Sequence, residues 1–155
     1  MADDDHRAAV QAATRLAILA REGHGAAGLF VGLSGTGKTL AADALRRASG
    51  AEVFHVDLRD VVSKYVGETE KNLDRIFQRA KAANVVLFFD EADALFGKRT
   101  DVRDEHDRYA NEQVSYLLQR VEEIGGVAIL ASNQRPDMAP AVLRRFRVVW
   151  PPEAA

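Results

Sequence analysis

The sequence predicts an α/β domain built on a parallel sheet with helices on both sides. Two observations carry this. Five short runs, Gly28 to Val31, Glu52 to Val56, Val85 to Asp90, Val127 to Ala131 and Arg147 to Trp150, are strand-like. Most are apolar on both faces, as strands are when helices cover both sides of a sheet. Between them, Leu73, Ile76, Phe77 and Ala80 recur at helical spacing, as do Ala110, Val114, Leu117, Leu118 and Val121, so each segment has one face to bury. There is no internal repeat, low-complexity stretch or dividing linker.

In chain order, Val10, Leu16, Ile18 and Leu19 in an alanine-rich setting predict a first helix, ended by Gly23 and Gly25. This N-terminal helical segment, 1–26, precedes a core spanning 27–155. The run Leu29-Phe30-Val31 then delivers the chain into Gly32-Leu33-Ser34-Gly35-Thr36-Gly37-Lys38-Thr39, and Leu40 to Leu45 continues as a helix. Strands and helices alternate from there to Trp150.

Composition narrows the function. Of 155 residues, 47% are apolar, enough for a packed core. A formal charge of −2 provides no broad basic field and argues against duplex nucleic acid as an obligatory partner. The chain has no cysteine, which excludes disulfides, thiol catalysis and cysteine-ligated zinc, and suits a reducing cytoplasm. Its acidic start, Asp3-Asp4-Asp5, is unlike a secretory signal, and no run reaches membrane-spanning length, so a cytoplasmic protein without a membrane partner is expected. His6, His24, His55 and His106 show no metal-ligand spacing.

The stretch Gly32 to Thr39 has the Gly-x-x-x-x-Gly-Lys-[Ser/Thr] pattern between a strand and a helix. Its glycines let backbone N–H groups curl inward while the helix aims its positive end at the same point, which suits polyphosphate. Ser34, Gly35, Thr36, Gly37, Lys38, Thr39 and Leu40 are the candidate nucleotide contacts, with Lys38 on the outer phosphates and the Thr39 hydroxyl on Mg²⁺. A plain glycine-rich turn is the alternative.

Val85 to Phe89 ends abruptly in Asp90 and Glu91, at the carboxyl edge where open α/β sheets place ligands. Asp90 is placed to hold Mg²⁺ through its water shell and Glu91 to polarise the water attacking the terminal phosphate, a pair that points to an ATPase rather than a kinase. The alternative is that Asp90 caps the following helix and Glu91 complements its dipole. Val127 to Ala131 likewise ends in Ser132-Asn133. Asn133 could orient the attacking water if its strand lies between the other two, although an Asn after a strand is commonly a turn residue.

Together, Gly32 to Thr39, Phe88-Phe89-Asp90-Glu91-Ala92-Asp93, Ser132-Asn133 and Leu143-Arg144-Arg145-Phe146 resemble the ordered motifs of the AAA+ ATPases, over roughly residues 27 to 150. The resemblance implies a three-layer P-loop NTPase fold with strand order 5-1-4-3-2, ATP and Mg²⁺ as ligands, and a homo-oligomeric ring, a hexamer by the family's habit. It also implies that Arg144 and Arg145 act in trans as arginine fingers. The stretch Ser63 to Leu73 resembles the pore loop of the protein-remodelling branch, with Lys64, Tyr65 and Val66 gripping a polypeptide substrate; such a pair can instead pack under its own domain. More narrowly, Ala94 to Thr100 and Asp107 to Glu112 resemble AAA+ proteins that accompany contractile phage-tail-like injection particles.

The pattern also departs from the family. The family usually carries a small helical lid after the last strand, and a chain acting without one is expected to assemble weakly and turn over slowly. The short stretch before the phosphate loop leaves adenine preference resting on analogy. Leu33 stands where proline is common and is expected to loosen the loop; Ala139 stands where an acid is common and removes a helix cap. Two functions follow: an ATPase coupled to remodelling or disassembly of a protein assembly, or a nucleotide-gated scaffold that binds ATP with little hydrolysis. A phosphate-loop kinase would need an acceptor site that the sequence does not show.

Overall fold

A computed structural model describes residues 2–21, 23, 25–83, 85–96 and 105–152. In order the main elements are α1 (Ala2–Ala20), β1 (Ala26–Val31), α2 (Gly35–Ser49), β2 (Val53–Asp57), α3 (Glu68–Ala83), β3 (Val86–Asp90), α4 (Asp93–Phe96), α5 (Glu105–Ile124), β4 (Val127–Ser132), α6 (Pro140–Leu143) and β5 (Val148–Trp150). The strands form one parallel sheet in the order β2-β3-β4-β1-β5, which is the expected order seen from the other edge. All five strands fall on the apolar runs of the sequence.

Strand alternation divides the core in two. Leu29, Leu87, Phe89, Ala128 and Leu130 point to one side, where they meet Leu73 and Phe77 of α3 and Val114, Leu117 and Val121 of α5. Phe30, Phe88, Val127 and Ile129 point to the other, against Ala9, Ala13 and Leu16 of α1 and Ala41 and Leu45 of α2. The small residues of α1 let it lie close: a Cβ on Gly28 would stand 2.9 Å from both Leu16 Cδ2 and Phe30 Cε1.

Three local outcomes differ from the sequence expectation. Ile18 does not join the apolar face of α1 and is 53% exposed. Phe54 is 38% exposed, because β2 is an edge strand with only β3 beside it. Leu33 is buried among the residues between α1, α2 and the sheet, so its side chain anchors the phosphate loop where loosening is expected. Of the charged stretch Lys98 to Arg108, residues 98–104 lie outside the described residues. Among the described residues no helix is long and apolar enough to cross a membrane.

Candidate nucleotide site

The site forms where β1, β3 and β4 end. At the end of β1, Gly32 turns the chain at φ 77°, a conformation open chiefly to glycine, and its N–H donates to Ser132 O at 2.8 Å. This ties the phosphate loop to β4. Ser34 is the N-cap of α2: its Oγ accepts from Gly37 N at 3.0 Å and its carbonyl accepts from Lys38 N at 2.8 Å. Gly35 and Thr36, exposed at the helix start, keep amides with no intrahelical acceptor, the donors a phosphate would take. Gly37 is buried, and a Cβ there would press on Leu33 Cδ2 and Ser34 Oγ, each at 3.3 Å. His6 of α1 reaches the same cap, with Nε2 3.2 Å from Ser34 Oγ.

Lys38 and Asp90 come together directly: Lys38 Nζ lies 3.0 Å from Asp90 Oδ1. The same oxygen accepts Glu91 N at 2.8 Å, so Asp90 holds both the lysine and the first peptide beyond its strand. The exposed Thr39 hydroxyl donates to Gly35 O at 3.1 Å, leaving its oxygen lone pairs outward. Thr39 and Asp90 thus supply hard oxygen donors of the kind Mg²⁺ takes. Leu40 is exposed at one end of a groove of about 450 Å³ between α1 and α2, which Val10, Thr14 and Asp43 also line.

Glu91 has φ 56°, the one left-handed non-glycine among the described residues. Such backbones cost energy and concentrate at functional sites. Here the strain is held by Glu91 N on Asp90 and by Ala92 N donating to Ala131 O at 2.9 Å.

Sequence reasoning missed two features of this rim. Asp57 closes β2 in register with Asp90, and Arg59 chelates it, with Nη2 2.6 Å from Oδ2 and Nε 3.0 Å from Oδ1. The Arg59 hydrogen bonds hold the Asp57 carboxyl below the usual carboxylate range. Arg59 is raised in turn, first by its bond to Asp57, then by that carboxylate's charge and by Glu91. A cation therefore stands in the field of Glu91. The second feature is Asp93, whose carboxylate accepts Ser132 Oγ at 2.8 Å, Asn133 N at 2.8 Å and Gln134 N at 3.3 Å. An acid in the turn after β3 is visible in sequence; its reach across to β4 is not.

The remaining candidates lie away from this rim. Tyr65 is 64% and Val66 89% exposed, so the pair does not pack under its own domain. The base of their loop is knitted by Ser63 N on Thr69 Oγ1 at 2.9 Å and Asn72 Nδ2 on Val61 O at 2.9 Å, and Lys64 Nζ sits 5.5 Å from the Tyr65 ring centre. Arg144 is exposed just after α6, while Arg145 leans on α5 through Ser115 O at 3.5 Å and Glu122 Oε1 at 3.4 Å.

A strand, an amide-lined loop with its lysine, a helix and an acid-tipped neighbouring strand define a phosphate-loop nucleotide-binding protein. The family model described as "ATPase family associated with various cellular activities (AAA)" matches residues 28–151, and the chain belongs to that family. It is 39% identical over 118 residues to the "ATPase family gene 2 protein" of Schizosaccharomyces pombe, covering 76% of this chain and 15% of that protein. It is 40% identical over 125 residues to the "Cell division cycle protein 48 homolog" of Archaeoglobus fulgidus, covering 77% of this chain and 17% of that protein. The chain thus spans less than a fifth of the length of these relatives.

Proposed function

We propose that this chain binds Mg²⁺–ATP on the phosphate loop and hydrolyses it, and that the cycle moves the Tyr65 loop against a polypeptide or protein assembly. The observation that carries this is the Lys38–Asp90 contact at 3.0 Å, with Glu91 next in sequence. It joins phosphate binding and water activation at one rim. The exposed amides of Gly35 and Thr36 and the Lys38 ammonium cradle the phosphates; Lys38 exchanges Asp90 for phosphate oxygen as it does so. Thr39 and Asp90 would hold Mg²⁺, which would neutralise charge on the phosphate oxygens. Glu91 takes the proton of the attacking water and Asn133 orients that water. β4 lies between β1 and β3, as the Asn133 role requires. Leu40 and the adjoining groove offer the nucleoside an apolar wall.

Arg144 and Arg145 complete the site of a neighbouring subunit in a homo-oligomeric ring, a hexamer in the reading we favour. Membership of the family and the exposure of Arg144 support this reading. Tyr65 and Val66, exposed on a loop braced at its base, grip the substrate, with Lys64 stacked over the ring. The absence of cysteine supports a cytoplasmic setting.

Two substitutions test the chemistry. Lys38→Ala is expected to abolish nucleotide binding, and Glu91→Gln to retain ATP while turnover falls by about a hundredfold or more. A Glu91→Gln chain that hydrolyses ATP at the parental rate overturns the assignment of the base. Binding without phosphate release at any protein concentration establishes the nucleotide-gated scaffold instead.

A further inference from the structure

Paired residues of β3 and β4 run Leu87 with Ala128, Phe88 with Ile129 and Phe89 with Leu130, and the register stops there. Beyond that point the two strand ends carry Glu91 and Asn133, the two groups that must face one water molecule. What holds them together past the last pair is Ala92 N on Ala131 O and the Asp93 carboxylate. Among the described residues, the Asp93 carboxylate bonds to the end of β4 and the turn after it. Oδ2 takes the Asn133 amide, while Oδ1 faces the Ser132 hydroxyl and the Gln134 amide. Ser132 is buried, and its single proton is shared between Asp93 Oδ1 and the Gln134 carbonyl. An ionised carboxylate is the acceptor suited to several donors at once, and its bonds are stronger than neutral ones.

From this we infer that Asp93 is a positioning residue for hydrolysis: it extends the β3–β4 ladder by a side chain and thereby fixes the Asn133 Cα relative to Glu91 two residues earlier. The inference rests on the proposed roles of Glu91 and Asn133. The Asp93 carboxylate is taken up by Ser132, Asn133 and Gln134. Its effect passes through Asn133, so loss of Asp93 changes the rate of the chemical step and leaves ATP affinity, set on the phosphate loop, unchanged.

The test is a double-mutant cycle on the 155-residue chain, reading kcat, KM and nucleotide Kd for Asp93→Asn, Asn133→Ala and the two combined. Asp93→Asn keeps the shape and replaces one acceptor oxygen with an NH₂ that cannot accept. Its kcat is expected to fall roughly tenfold or more, since displacements of about an ångström have effects of that size, with Kd unchanged. In the Asn133→Ala background the same substitution should change kcat by less than about twofold, because the residue it acts through is gone. A parental kcat, or an equal fall in both backgrounds, overturns the proposal. Should Asp93→Asn fail to fold, Ser132→Ala, which removes one donor to the carboxylate, takes its place in the cycle: a fall in kcat confined to the Asn133 background supports the proposal, and a parental kcat or an equal fall in both overturns it. A readout independent of turnover is the Asn133 side-chain amide resonance: Mg²⁺–ATP should shift it in the parent and not in Asp93→Asn, and an equal shift in both overturns the proposal. Failure of the underlying reading looks different. If Glu91→Gln turns over like the parent, the assigned site is wrong and Asp93 loses its role with it; if Glu91→Gln is inactive while Asp93→Asn is parental, only the Asp93 proposal falls.

Discussion

Single residues at the strand ends bear the strain and charge that the site needs. Lys38 and Asp90 are side chains 24% and 34% exposed, so their ion pair sits in the range of surface pairs, worth no more than about 1 kcal/mol. Lys38→Ala should therefore leave urea stability within about 1 kcal/mol of the parent while removing nucleotide binding, and a large loss of stability would show the lysine to be structural. Two glycines separate backbone strain from crowding. A Cβ on Gly32 meets nothing within 4 Å, so Gly32→Ala is expected to cost only the left-handed backbone penalty of about 1–2 kcal/mol. Gly28 has ordinary backbone but no room, and Gly28→Ala is expected to cost about 1–3 kcal/mol by driving α1 from the sheet. Denaturant melts followed by Trp150 fluorescence compare the two, and raised stability in either would contradict the geometry. The turn and helix start of the phosphate loop are legible because a short motif specifies local backbone. Asp93 and Arg59 are not, because their importance comes from β3 lying beside β4 and β2, a register that no local pattern encodes.

Elements were legible wherever burial is two-sided. Leu29 and Phe30, or Leu87, Phe88 and Phe89, read as strand because consecutive residues face two different cores. That signal fades at the edges: β2 is only partly buried, with Val56 buried but Phe54 on the same face exposed, and Ile18 is exposed on α1 although its spacing looks apolar. Between α3 and α5 the contact is partly polar. Tyr116 donates to Asp74, Arg120 Nε lies 3.3 Å from Asp74 Oδ1, and the guanidinium stacks 5.8 Å from the Phe77 ring centre. The bond to Asp74, followed by burial and the carboxylate's charge, pushes the Tyr116 phenol up to about 12. The neutral phenol is the form that the fold favours. Its contribution is thus full below about pH 10, the unfolded value, and is lost as pH rises through the folded one. The stability gap between the parent and Tyr116→Phe, about 1 kcal/mol, should hold level to about pH 10 and close above it. A gap that closes near neutral pH would contradict the hydrogen bond.

Across the molecule, the sheet brings one chain's loop, acids and Asn133 to a common rim and leaves Arg144 and Tyr65 exposed elsewhere. A ring that shares its sites makes turnover per subunit rise steeply with protein concentration. It also predicts complementation. Lys38→Ala and the Arg144→Ala, Arg145→Ala double variant, each inactive alone, should recover part of the parental rate when mixed, because one supplies the arginines and the other the loop. No recovery would place the arginines outside the site. Every role assigned to these residues depends on polyphosphate and a divalent ion docking where the curled loop meets the tip of β3. Titration calorimetry with Mg²⁺–ATP measures that docking: a saturable heat is expected for the parent chain and its disappearance in Lys38→Ala, whereas a folded parent giving no heat, or a Lys38→Ala chain binding as tightly as the parent, would refute it.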